Sequence, residues 1–467
     1  MANHTNTAAS TENEHLMEHI INISEDEQPL LWPESCIYKV PCDLRNINEA
    51  AYTPRLISIG PIHHGDKKLK PMERQKKIYH HEFHKRLKEN HYYSSETAEM
   101  KLTKFRRFIE ENQDEIAHRY AAEFKKEGFV EMIELDAVFI MELFLRITET
   151  NKCQRDYMLS KPWLRKGIQL DLLLLENQIP FFILKELYEV VGKKHSTFLE
   201  IACQYFANFN PLRESSNESI KLIKEFEVRH FTDLVRCFYL PNTDLNFESE
   251  TSDVLYCATK LNEGGVVFKA MPDKPLLDIT FKKKWFLNWL PFLSCLPFIK
   301  CFNAHLELSP FRVDSTTECV LRNLIALEQC HYPSNAYICN YLLLMDHLVN
   351  TVTDVDLLVD KKVIVNQLGS HKQGTMLVNS LCEHVVVSNF CYAERIRQLN
   401  EHCDQFWNRN MAALNSIYFR DLWRSTSTVV ALIIILATMY NFLRNFLRDY
   451  NRDFNWRVPE IFNISYS

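Results

Sequence analysis

The chain has 467 residues, a formal net charge of −6, 46% hydrophobic and 24% charged residues, the profile of an ordinary globular protein. That length can bury a core without disulfide or metal staples, and so small a charge leaves no polybasic footprint for nucleic acid. Nine glycines, against a usual share of about 7%, disfavour tight-turned all-β folds and glycine-rich phosphate cradles.

A predominantly α-helical body with a small β-sheet and one C-terminal transmembrane helix is the expected fold class. Residues 1–30 are polar, acidic and aperiodic, and read as a disordered segment. Order is expected from Leu31-Trp32 onward, in a body covering 31–424. Pro71 suits a first helical turn, and Met72–Asn90 is charged with apolar residues at Ile78, Phe83 and Leu87. A helix is expected over Ala98–Glu127 with Gly128 as its stop, then a buried one over Val130–Ile147. Asp171 is placed to cap a helix through Leu172-Leu173-Leu174-Leu175, which Pro180 then kinks. Further helices fit Thr197–Phe206, Ser219–Phe238, Asp253–Leu261, Thr316–Gln329, Ala336–Val349, Thr375–Val387 and Ala393–Phe419.

The period changes between 265 and 313, where Val266–Phe268, Leu277–Lys282 and His305–Leu308 read as strands of the small sheet. The uncharged run Trp285–Ile299, broken by Pro291 and Pro297, is too short and interrupted to span a bilayer. It reads as a buried hairpin or a membrane-surface contact.

Arg424 and Arg444 bracket the uncharged stretch Ser425–Leu443, 19 residues with Val429, Leu432, Ile433, Ile434, Ile435 and Leu436 at its centre. As a helix it is ~29 Å long, close to the ~30 Å hydrocarbon core, and Trp423, Tyr440 and Phe442 stand near its ends. It is therefore the expected membrane anchor, with a short tail over 444–467 and the lipid bilayer as its partner. A buried core helix is the competing account. No Lys or Arg precedes Lys39, so no secretory signal is read. The expected topology is single-pass in the plasma membrane or an endomembrane, with the body cytosolic. The fourteen cysteines are then expected as thiols, although Arg444, Arg448, Arg452 and Arg457 pull the orientation the other way.

Catalytic signatures are absent from the sequence. There is no phosphate loop, no dinucleotide fingerprint and no nucleophile elbow. Cys36/Cys42 and Cys295/Cys301 are spaced too widely for the usual zinc pairs. His80 and His84 lie one helical turn apart, but position 81 is His where a metalloprotease needs Glu, and a solvated basic helix accounts for them. His63-His64 reads as a surface turn. No catalytic, metal or cofactor site is expected. Glu176-Asn177-Gln178 and Glu328-Gln329 interrupt apolar runs. Buried carboxylates of this kind could act as acid and base, but next to amides they read as structural polar positions that satisfy neighbouring chain ends.

The chain resembles the plant family known as domain of unknown function 247. The resemblance rests on Ile37-Tyr38-Lys39-Val40-Pro41, on Tyr52-Thr53-Pro54-Arg55-Leu56-Ile57-Ser58-Ile59-Gly60-Pro61-Ile62-His63-His64-Gly65 and on Leu69-Lys70-Pro71-Met72-Glu73. It continues in Leu173–Phe182, Ala258–Val266 and Arg322–Gln329, covering the chain from Ile37 through the C-terminal apolar helix. Where the family often has Asp-Gly-Cys-Phe, this chain reads Asp136-Ala137-Val138-Phe139. The resemblance implies a land-plant membrane protein without assigned catalytic residues. Some grass relatives resemble determinants of pollen–stigma self-incompatibility, which implies recognition rather than chemistry. The expected function is a membrane-tethered, non-enzymatic interaction or signalling protein with an unidentified protein partner and no nucleic acid. The alternatives are a hydrolase or transferase using Glu176 or Glu328, and a membrane-surface structural protein.

Overall fold

The computed structural model describes residues 32–89, 97–149, 156–192, 196–211, 223, 226–241, 248–249, 254–283, 304–404 and 422–454. The expected disordered segment 1–30 and the Trp285–Ile299 run lie outside the described residues, as does most of the tail expected over 444–467. Parts of the helices expected over Ser219–Phe238 and Ala393–Phe419 lie outside them too.

The protein is mostly helical, with small sheets set between the helices. Helix Phe129–Thr148 runs through the centre of the body. Every residue from Asp136 to Leu145 is buried, as an apolar helix without a solvent face requires. Helix Lys70–Glu89 lays Tyr79, Phe83 and Leu87 against it at helical spacing, with the Tyr79 and Phe139 rings 5.1 Å apart. Helices Thr317–His331 and Tyr337–Leu348 pack on each other in the same core, whose buried residues range from Cys36 to Cys403.

The expected strands are present. Val266–Ala270 pairs in parallel with Ala304–Leu308, which also takes Thr280–Lys282 antiparallel. Two parallel pairings have no local sequence signal: Ile37–Tyr38 with Tyr120–Ala121, and Phe311–Val313 with Ile364–Asn366. Strands this short are held by tertiary placement, because their partners lie far away in the chain.

Several expected boundaries move. The helix expected over Ala98–Glu127 ends at Glu111. A short helix Gln113–His118 and the strand Tyr120–Ala121 follow. Gly128, left-handed at φ 69°, is the N-cap of the central helix and not the stop of the one before it. The helix expected from Asp171 through Leu175 does not form. Asp171 is the last residue of helix Pro162–Asp171, residues 172–180 are non-helical, and the next helix, Phe181–Val191, starts after Pro180. Pro180 disfavours helix in the residue before it, and the polar side chains of this segment take over backbone bonding. The helix expected over Thr375–Val387 is His371–Leu381, capped by Ser370. That expected over Asp253–Leu261 is Ala258–Glu263.

Helix Leu422–Phe454 contains the segment Thr426–Asn445, 20 residues of mean hydropathy 1.9 with none of it buried against the body. It is one helix long and apolar enough to cross a membrane.

Candidate functional site

The segment Leu172–Pro180 is buried throughout and carries too many backbone polar groups to lie there unaided. Its own side chains, with Asn323 and Thr232 from elsewhere in the chain, satisfy many of them. The Gln178 amide donates to the carbonyls of Leu172 and Leu174 at 2.7 and 2.8 Å, and its oxygen accepts from the Phe231 amide at 2.9 Å. Asn323 accepts from the Leu175 N–H at 2.9 Å and donates to the Ala51 carbonyl at 2.8 Å. The Thr232 hydroxyl donates to the Leu173 carbonyl.

The same segment fastens residues 55–60. Asp171 accepts from the amides of Arg55, Leu56 and Ile57, and Asn177 accepts from Ile59 while donating to the carbonyls of Ile57 and Asp171. Gly60 donates to Asp136 Oδ2 at 2.8 Å. Asp136 in turn holds Lys76, whose Nζ lies 2.6 Å from it and 2.6 Å from Glu73. Burial would lower the Lys76 ammonium, but Asp136 and Glu73 outweigh it and hold it above its ordinary value. Burial pushes the Asp171 carboxyl up to about 6, against the pull of the three amides it caps.

Glu176 is the ionic centre of this segment. Its Oε1 accepts from the Val40 amide at 2.7 Å, while Oε2 is paired with Arg45 and lies 2.9 Å from His63 Nε2. Burial alone would raise this carboxyl, yet His63, Arg45 and the Val40 amide hold it below the usual carboxylate range. The turn expected at His63-His64 forms and leaves His64 exposed, but the His63 side chain is largely buried on Glu176.

Glu328 forms a second centre. Oε1 accepts from Arg236 Nε at 2.9 Å and Oε2 from the Cys339 amide at 2.9 Å. Arg236 also donates to the Asn335 carbonyl, with its guanidinium 3.9 Å from the Tyr332 ring centroid. Burial raises the Glu328 carboxyl against Arg236 and the amides. Gln329 faces the other way and exchanges two bonds with the backbone of Val386.

Glu176, Asn177, Gln178, Glu328 and Gln329 therefore all bind backbone or fixed side chains. Sequence reasoning missed the partners of the two glutamates, Arg45 and His63 on Glu176 and Arg236 on Glu328, and the neighbouring polar residues Asp136, Asp171 and Asn323 that serve backbone around them. It also missed a further buried set in which Arg86 and Arg146 share Glu142, Arg146 meets Asp156, and Tyr79 donates to Asp156. The signal for Asp136 and Glu142 was present, since a charge inside an otherwise buried helix requires a counter-charge.

His80 lies 3.8 Å from Glu134 and His84 3.4 Å from Glu99, so the two histidines face separate carboxylates. Among the described residues no group of three or more His, Cys, Asp or Glu is placed to hold a metal. The described cysteines are free thiols; burial pushes Cys36 up to about 12 and Cys330 to about 11. A cleft of ≈ 90 Å³ is lined by Asn208, Tyr239, Arg312, Asp314 and Thr317 among others, and neither Glu176 nor Glu328 opens into it.

A bonding pattern that ties residues 55–60 to 171–178 joins two of the segments on which the family resemblance rests. The model of that family, described as plant protein of unknown function and DUF247, matches residues 37–437. The chain belongs to this family. The DUF247 match takes in both ionic centres and much of the apolar C-terminal helix. A UPF0481 protein of Arabidopsis thaliana is 28% identical over 437 residues, covering 89% of this chain and 88% of that protein. A putative UPF0481 protein of the same plant is 22% identical over 177 residues, 38% of this chain and 30% of that one. No solved structure matches.

Proposed function

We propose that this DUF247 protein is a membrane-tethered, non-enzymatic interaction protein: a rigid helical body held at a bilayer by the helix Thr426–Asn445. The observation that carries the tether is the exposure of that segment. Leu432, Ile433, Ile434, Ile435 and Leu436 are 45–63% exposed, whereas the large apolar residues of the body's helices are mostly buried. A helix of this composition left in water forfeits its transfer free energy, which a bilayer supplies. Confinement to a surface raises the body's effective concentration toward partners on the same membrane.

The non-enzymatic part of the reading is supported by how fully Glu176 and Glu328 are engaged. Each oxygen already has a fixed partner, and Cys339, whose amide Glu328 holds, has its thiol pushed up by burial, the reverse of an activated nucleophile.

Replacing Ile434 and Ile435 together by Arg costs roughly 2.5–3.5 kcal/mol per residue at a bilayer centre. The wild type is expected in the alkaline-carbonate membrane pellet and the Ile434→Arg/Ile435→Arg chain in the supernatant. Release of the wild type by carbonate would overturn the tether.

A further inference from the structure

Helix Lys70–Glu89 is two-sided, one face buried against the body and the other exposed. Its inner face carries Tyr79, Phe83 and Leu87 together with the ion-paired Lys76 and Arg86. On its outer face Lys70, Arg74, Lys77 and Lys85 are exposed at helical spacing, with Lys67 just before the helix. None of these five makes a side-chain hydrogen bond or ion pair among the described residues. Of the nearby carboxylates, Glu73 pairs with Lys76, Glu82 lies 3.7 Å from Arg146 and Asp66 accepts from the Lys68 amide, while the exposed Glu89 stands at the helix's last residue. Ile78, 47% exposed, sits in the middle of the stripe. From Lys70 to Lys85 the row is about 22 Å long, so neighbouring cations lie within a Debye length of one another. In a chain of net charge −6 this is a concentrated positive surface with an apolar residue at its centre.

We infer that this face docks on the anionic leaflet of a membrane, with lysine and arginine heads among the lipid phosphates and Ile78 at the acyl boundary. The choice of lipid as the occupant rests on the proposed tether, which keeps the body beside a bilayer. Charge complementarity supports it, because each cation near an anionic surface adds attraction without needing a shaped pocket. The tether supplies attachment; the basic face sets how the body lies on the surface.

The test uses the full chain with the tether disabled, Ile434→Arg/Ile435→Arg, so that binding through the body is read alone. It is mixed with phosphatidylcholine vesicles, with phosphatidylcholine–phosphatidylserine vesicles and, separately, with duplex DNA. Flotation with the phosphatidylserine vesicles only, weakening as salt is added, is expected. Adding Lys70→Gln, Arg74→Gln and Lys77→Gln, all at exposed positions, should weaken that flotation about a hundredfold and leave the thermal transition in place. Absence of flotation, equal flotation with both vesicles, an unaffected triple variant, or DNA binding as tight as vesicle binding each overturns the inference. Carbonate release of the wild type would count against the tether alone and leaves this readout intact.

Discussion

Gly60 holds its place for two reasons at once. Its φ of 71° lies in the left-handed region, and a Cβ there would overlap the Gln178 carbonyl oxygen with the Tyr120 hydroxyl also at hand. Gly65 has φ 84° but nothing within 4 Å of a Cβ. Gly65→Ala should therefore cost only the backbone term, ~1–2 kcal/mol, and Gly60→Ala ~3 kcal/mol or more, read as urea unfolding free energies. Equal costs at the two sites would show that the close approach to Gln178 is unimportant. His230 has its tautomer fixed by its bonds: Nδ1 accepts from the Asp233 amide, so Nε2 carries the proton it donates to the Cys36 carbonyl. Burial lowers its pKa to about 4, with Asp233 opposing only in part. A base depressed on folding contributes stability in full above its unfolded value of 6.5 and loses it as pH falls toward 4. The wild type should lose ~2–3 kcal/mol more than His230→Asn between pH 7 and 4. Parallel stability curves for the two chains would refute the assignment.

The element that organises the body is one without regular structure. Residues 172–180 present buried backbone groups, and Gln178 alone satisfies two of their carbonyls and the first amide of helix Phe231–Cys237. Gln178→Leu keeps the volume and strands all three, each worth about 1–3 kcal/mol when buried. The expected loss is ~3 kcal/mol or more, large enough to appear as low soluble yield. By contrast Thr197, which closes a solvent-exposed capping box with Glu200, should cost only ~1 kcal/mol as Ala. Chemical denaturation ranks the two, and a reversed order would deny the segment its organising role.

At the scale of the molecule, one core extends from Cys36 to Cys403, while Thr426–Asn445 contributes nothing buried to it. The body's stability should therefore be indifferent to the tether. Deleting residues 422–467 is expected to move the unfolding free energy, compared in one detergent, by no more than ~0.5 kcal/mol. A larger drop would place the helix against the body and weaken the case for a bilayer around it.

Composition and periodicity were enough for the helical class, the central buried helix, the short strands near 266–308 and the apolar C-terminal helix, because each is written in local spacing of apolar residues. They also singled out Glu176 and Glu328, since a charge inside an apolar run must find a partner. The partners themselves were not legible. Arg45 and His63 reach Glu176 from more than a hundred residues away, and Arg236 reaches Glu328 from across the core. The Leu172–Leu175 run reads locally as helix and was decided otherwise by contacts from residues 55–60, 231 and 323. Hydrogen bonding between distant segments has no period in the sequence, so only the folded chain could settle which backbone groups those polar side chains would serve.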